Sequence, residues 1–195
     1  LIQGRHDFDT RVNPFDLLAA LDIGENPDLA AANAALAAGR PACVQLATLL
    51  PGLDRLLSLR PRLGVRNSGH TMAKLIDPAR GASVRVVAVT HPEYIERMDE
   101  FLCADGACAM LMRGTEGEAY ANPRRRPAMK FYADGALAFT VEAQGGGAPP
   151  NADVPDQPGV DDNAALIRAM LDGSVPVPPP IRDQVDALAR HARRD

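Results

Sequence analysis

The chain has 195 residues, of which 46% are hydrophobic and 24% charged, with a formal net charge of −4. That composition suits a globular protein with one real core, borderline for two, and lies far from the disordered regime. A net negative charge excludes a global pull toward nucleic acid or acidic lipid, so polyanion binding would have to come from a local patch.

The chain starts with Leu1-Ile-Gln-Gly, which reads like the end of a strand, with neither an initiator Met nor a signal-peptide pattern. The expectation is a fragment whose upstream part is missing. Asn13-Pro14 opens a helix, with Asn as cap and Pro in the first turn, and Phe15, Leu18 and Leu21 follow at helical spacing up to Gly24. Asp28 to Ala38 reads as an alanine-rich helix closed by Gly39. Cys43 to Leu49 reads as a short strand, and a helix around Leu53 to Leu59 follows Pro51-Gly52. Asn67 or Ser68 caps a further helix through Ile76, stopped by Asp77-Pro78.

The β-branched stretch Val84 to Thr90 predicts a buried strand. Pro92 to Leu102 predicts a helix with Tyr94, Ile95, Met98, Phe101 and Leu102 on one face. Ala107 to Met112 is a second buried strand. Met129–Tyr132 and Ala136–Val141 form a strand pair around Asp134-Gly135. Residues 143–160 are rich in Gly and Pro and read as a long loop, after which helices are expected over Asn163–Leu171 and Pro180–Arg193. Alternating strands and helices predict an α/β fold with a largely parallel sheet flanked by helices. No run of apolar residues is long enough to span a bilayer, so no membrane association is expected. Cys43, Cys103 and Cys108 sit among apolar neighbours, which suits reduced thiols in a cytoplasmic protein. As half of a zinc site, Cys103 and Cys108 lack a second pair of ligands.

Two stretches carry the chemistry. The first runs Arg60-Pro-Arg62-Leu-Gly-Val-Arg66-Asn-Ser-Gly-His70-Thr-Met-Ala-Lys74. If Asn67 caps a helix, the free N–H groups and positive dipole end beside Arg66 make an anion site. The alternative is a solvated, charged helix entry, with His70 a hydrogen-bonded structural residue. The second is Met112-Arg113-Gly114-Thr115-Glu116-Gly117-Glu118, then Tyr120, and the run Pro123-Arg124-Arg125-Arg126-Pro127 followed by Lys130. A buried strand that ends in a glycine-containing loop is where open α/β sheets place ligands. Gly114 and Gly117 allow close approach of backbone to ligand. The arginine fork matches phosphate oxygens bidentately. Glu116 and Glu118 either hold a cation, polarise a base or pair with the arginines.

At these two stretches the sequence resembles a known family. GVRNSGHTMAKLIDPA, THPEYIERMDEFL and MRGTEGEAYANPRRRP look like the C-terminal α/β domain of anthranilate phosphoribosyltransferase-like proteins, glycosyltransferase family 3, nearest to its divergent YbiB-like branch. The resemblance covers most of the chain and implies that residues 1–195 form one such domain, in a DNA-binding homodimer that dimerises through absent N-terminal helices. For catalytic members it implies magnesium, phosphoribosyl pyrophosphate held by a Gly-Thr-Gly-Gly-Asp loop upstream of this chain, and an acceptor-orienting arginine at Arg60. The chain departs from the enzymes in three places. Their Arg-Thr-x-Phe-Asn stretch is replaced by Arg66-Asn-Ser-Gly-His70, their upstream histidine falls at Leu50, and their adjacent Asp-Glu metal pair has no counterpart. Only Glu116 and Glu118 stand near that metal position, and losing an adjacent acidic pair weakens magnesium binding.

The leading expectation is therefore non-specific nucleic-acid binding through phosphates, by Arg113, Arg124, Arg125, Arg126 and Lys130, with Arg62, Arg66 and Lys74 as second choices. The alternative is phosphoribosyl transfer to an aromatic amine or a base, with Arg60 orienting the acceptor. Aromatic residues make up only 4% and do not interleave with the basic run, which argues against a base-stacking platform.

Overall fold

The computed structural model describes residues 1–5, 12–65, 67–114, 118–147 and 159–193. In chain order the elements begin with β1 (Ile2–Gly4), α1 (Pro14–Ala20), α2 (Leu29–Ala37), β2 (Cys43–Gln45), α3 (Leu46–Leu49) and α4 (Pro51–Leu57). Next come α5 (Arg60–Leu63), α6 (Gly69–Met72) with a 3-10 turn over Ala73–Leu75, β3 (Arg85–Val89) and α7 (Pro92–Ala104). The chain closes with β4 (Ala109–Arg113), β5 (Met129–Ala133), β6 (Ala136–Val141), α8 (Val160–Leu171) and α9 (Pro179–Ala192). They divide into two compact units: Leu1–Ile76 with Asp153–Val175, and Asp77–Ala152 with Pro176–Asp195.

In the first unit β1 and β2 form a parallel pair, Ile2 opposite Cys43. The predicted caps operate: Asn13 Oδ1 accepts from Phe15 N at 2.8 Å and Asp28 Oδ1 from Ala31 N at 2.8 Å. Each satisfies an amide that the first helical turn leaves without a partner. Gly39, at φ +69°, ends α2 in the left-handed conformation that glycine adopts without a Cβ penalty. A small core of Ala32, Ala35, Ala42 and Val44, with Leu49 against it, holds α2 on β2. The strand expected over Cys43–Leu49 stops at Gln45 and continues as the short helix α3. The run Leu-Ala-Thr-Leu is helix-compatible, and the following Pro51 suits the first turn of α4.

The second unit is built on a four-stranded sheet in the order β3-β4-β5-β6. The α/β alternation is as read, but the sheet is mixed rather than largely parallel. β3 and β4 are parallel, with α7 as their crossover, whereas β4–β5 and β5–β6 are antiparallel. The last pair is antiparallel because Asp134 (φ 52°) and Gly135 (φ 77°) form a two-residue turn with both central residues left-handed, the geometry that matches strand twist. Ala109 to Met112 of β4 are all buried, as expected of a central strand covered on both faces. Ala88, Met110, Met112, Met129 and Phe131 pack with Ala187 of α9 on one face, and α7 covers the other with Met98 and Leu102. Phe131 stacks on Phe139 of β6, ring centroids 4.4 Å apart. None of the three cysteines forms a disulfide; burial pushes the Cys43 thiol above its ordinary pKa, and Glu25 adds to the shift. No helix among the described residues is long and apolar enough to cross a membrane.

Candidate anion-binding site

Parallel pairing of β3 with β4 brings their carboxyl ends together, Val89 opposite Arg113. Gly114 N extends the ladder by donating to Val89 O at 3.0 Å. At this edge β3 passes through Thr90 and His91 into the amino end of α7, and β4 runs out into the loop that returns as β5. Arg113 is exposed, and its Nε donates to Thr90 O at 3.2 Å, which turns the guanidinium back across the strand ends.

Past Glu118, which is exposed, the loop is tied down at several points. Asn122 Oδ1 accepts from Arg124 N at 2.9 Å, and Asn122 O accepts from Arg125 N at 3.1 Å, a local turn of the kind Asn favours. The arginines are then lashed to the chain that leaves β6. Arg125 Nε donates to Gln144 O at 3.0 Å and Arg126 Nε to Glu142 O at 3.1 Å. Gln144 N donates to Arg126 O at 2.9 Å, and Gln144 Oε1 accepts from Arg126 N at 3.3 Å. Arg126 Nη1 is also paired with Asp183 of α9.

Three arginines, Arg113, Arg125 and Arg126, thus spend Nε on a backbone carbonyl. Such a bond orients the plane of the guanidinium while its two terminal nitrogens point elsewhere. Arg124 and Arg125 are exposed, Arg126 half-buried. Lys130 sits differently. On β5 it follows Met129, whose side chain enters the core with α9, so strand alternation sends Lys130 to the α7 face. There its Nζ lies 3.4 Å from Asp99 Oδ2. Tyr132, also facing α7, donates its hydroxyl to Asp99, and burial first, then that carboxylate, pushes the phenol pKa well above its ordinary value. Lys130 and Tyr132 together fasten β5 to α7; the lysine belongs to the opposite face of the strand from the residues that meet α9.

Of the remaining expected residues, Arg66 and Glu116, with Thr115 and Gly117, lie outside the described residues, as does most of the Gly- and Pro-rich stretch 143–160. Arg60 and Arg62 lie on α5 and Lys74 in the 3-10 turn, all in the first unit. The helix expected from Asn67 or Ser68 to Ile76 is only four residues of α6 followed by that 3-10 turn. Its opening amide is already used, since Asn67 Oδ1 accepts from Gly69 N at 2.9 Å, and His70 Nδ1 lies 3.2 Å from Asn67 N. The helix-end anion site read from that stretch is therefore corrected: a single turn sums too little dipole, and its cap is an internal side chain.

Asp99, Asp183 and Gln184 were not singled out from sequence. For Gln184 a signal was present: buried residues on α9 recur at Pro180, Gln184, Ala187 and His191, which places an amide on the inward stripe of an amphipathic helix. At the opposite, amino-terminal ends of β3 and β4 lies an open cleft of about 1130 Å³, lined by Asp77, Arg85, Asp105 and Cys108 among others. Arg85 there bridges Asp105 at 2.9 Å and Asp77 at 3.0 Å, so that cleft carries no excess of positive charge. Among the described residues no group of three or more His, Cys, Asp or Glu is arranged to hold a metal ion.

No family model matches the chain. The chain is similar to a protein of Escherichia coli strain K12 described as uncharacterized protein YbiB, 34% identical over 189 residues. The match takes in 95% of this chain and 58% of that protein, so the chain spans somewhat more than half the length of the curated relative it matches.

Proposed function

We propose that the chain binds nucleic acid through its phosphate backbone, without reading sequence, using the arginine loop between β4 and β5. The observation that carries this reading is the orientation of Arg113, Arg125 and Arg126 by backbone carbonyls of Thr90, Gln144 and Glu142. Guanidinium groups held this way lose less side-chain freedom when an anion arrives, so more of each contact survives as affinity. The site lies at the carboxyl ends of a parallel strand pair and beside the amino end of α7, both of which favour anionic groups. Arginines in succession with few aromatics match a repeating line of phosphates better than a stacked base.

The test is titration of a fluorescent random-sequence DNA duplex with the protein over a range of salt. Log affinity is expected to fall linearly with log salt, with a slope of about −3 for three to four phosphate contacts. Binding insensitive to salt overturns the reading. Magnesium-dependent transfer from phosphoribosyl pyrophosphate to anthranilate by the full-length protein replaces it with the transferase reading, in which Arg60 orients the acceptor.

A further inference from the structure

Among its described residues after Glu118 the loop that carries the arginines forms no strand, yet Ala121 is fully buried there. Its fixed point comes from α9. Gln184, only 5% exposed, donates from Nε2 to Ala119 O at 2.9 Å and accepts at Oε1 from Ala121 N at 2.6 Å. The partners settle the orientation of the amide, because a carbonyl only accepts and an N–H only donates. A buried amide with both ends satisfied offsets its own desolvation, and losing either bond leaves a buried polar group unpaired.

The two bonds bracket Tyr120 and deliver the chain to Asn122. Asn122 in turn shapes the start of the arginine run through Arg124 N and Arg125 N. The next residue on α9 toward its amino end, Asp183, holds Arg126. A single turn of α9 therefore grips the segment Ala119–Arg126 near both of its ends. Glutamate at this place cannot donate to Ala119 O, and methionine fills the volume but satisfies neither group.

The geometry points to Gln184 as the positioning residue of the anion site: its amide sets the path of the loop and thereby where Arg124 and Arg125 present their charge. This inference rests on the proposed function above. Two readouts on the whole chain test it, one of the clasp and one of its consequence.

In the parent protein the Ala121 amide should exchange with solvent at least about tenfold more slowly than an unprotected amide in an unfolded peptide of the same sequence, as a buried, bonded group does. Exchange at the unprotected rate overturns the clasp without any variant. In Q184M and Q184E, peptides spanning 118–126 should exchange faster while those of β4 stay as in the parent. Affinity for a random-sequence duplex should then fall about tenfold in Q184M and less in Q184E, with the salt slope of Q184M flatter by about one. A variant that is only less stable loses active protein but keeps the slope of its folded fraction, so an unchanged slope beside a loosened loop overturns the positioning role. A parent that binds no duplex in low salt overturns the functional reading, and the exchange measurement still reports separately whether the clasp exists.

Discussion

Two basic stretches, one in each unit, look alike in sequence and differ in how the chain holds them. In residues 60–74, Arg60 and Arg62 lie on α5, a four-residue helix, and Lys74 in a 3-10 turn, neither element carrying a side-chain cap. Residues 113–126 hang between two strands, and their guanidinium groups reach across to β3, to the chain after β6 and to α9. Charge density alone does not separate the two; the second stretch is distinguished by guanidinium groups oriented on backbone carbonyls of other segments. A guanidinium already oriented spends less side-chain entropy when it meets a phosphate than one that is not.

The largest expected effect tests that difference directly. R124E/R125E/R126E should weaken binding to a random-sequence duplex by at least about 100-fold at low salt, since each reversal removes a phosphate contact and adds a repulsion. Charge for charge, R125E alone should cost about tenfold, and R62E in the first unit no more than about threefold under the same conditions, because an exposed charge not oriented on the loop contributes mainly long-range attraction. Equal losses from the two would break the comparison. Both are read by fluorescence anisotropy, with circular dichroism to confirm the fold.

Stability measurements sharpen the comparison from the scaffold side. A Cβ at Gly69 would stand 2.9 Å from Asn67 Oδ1 and 3.0 Å from Leu56 Cδ2, so G69A must displace the cap that shapes the first stretch. The expected cost is about 1–3 kcal/mol in chemical denaturation, the range for overpacking a tight site. In the second unit, Y132F removes the phenol that ties β5 to Asp99 of α7 and should cost about 1–2 kcal/mol at neutral pH.

The phenol also makes a pH prediction. Its folded pKa lies above its ordinary value of 10.0, chiefly through burial. The contribution is therefore complete below about pH 10, where the unfolded phenol is also protonated, and is lost as pH rises above that value. The parent should lose up to about 1.4 kcal/mol more per pH unit above 10 than Y132F does. Parallel stability profiles for the two proteins would show that Tyr132 is not clamped as described.

The smallest effect concerns Asp183. D183N releases Arg126 from its carboxylate and should raise duplex affinity by about two- to threefold at low salt, since the pair is only partly buried. Weaker binding would mean that the ion pair orients Arg126 more than it neutralises it.

Most of the local structure was legible in the chain itself. The Asn13-Pro14 and Asp28 caps, Gly39, the β-branched run before Thr90, the apolar run over Met110–Met112 and the Asp134-Gly135 turn each act through backbone geometry within a few residues. The run of cations between prolines after a buried strand is visible in the order of residues, although not what holds it. Leu46–Leu49 was not legible, because a short run such as Leu-Ala-Thr-Leu suits strand and helix equally and only the neighbouring Pro51 decides.

Tertiary structure alone decided the rest. The sheet is mixed because strand direction depends on which edge the returning chain finds, and that is a long-range choice. Lys130 parts from the arginines because side chains on a strand alternate, and which face meets α7 is settled only when the helices pack. Gln184 lies far along the chain from the loop it grips, and no local spacing links it to Ala119 and Ala121. The sequence determined that a cationic loop would leave a buried strand; packing of α9 and the chain after β6 determined which of its charges are oriented and which are already paired.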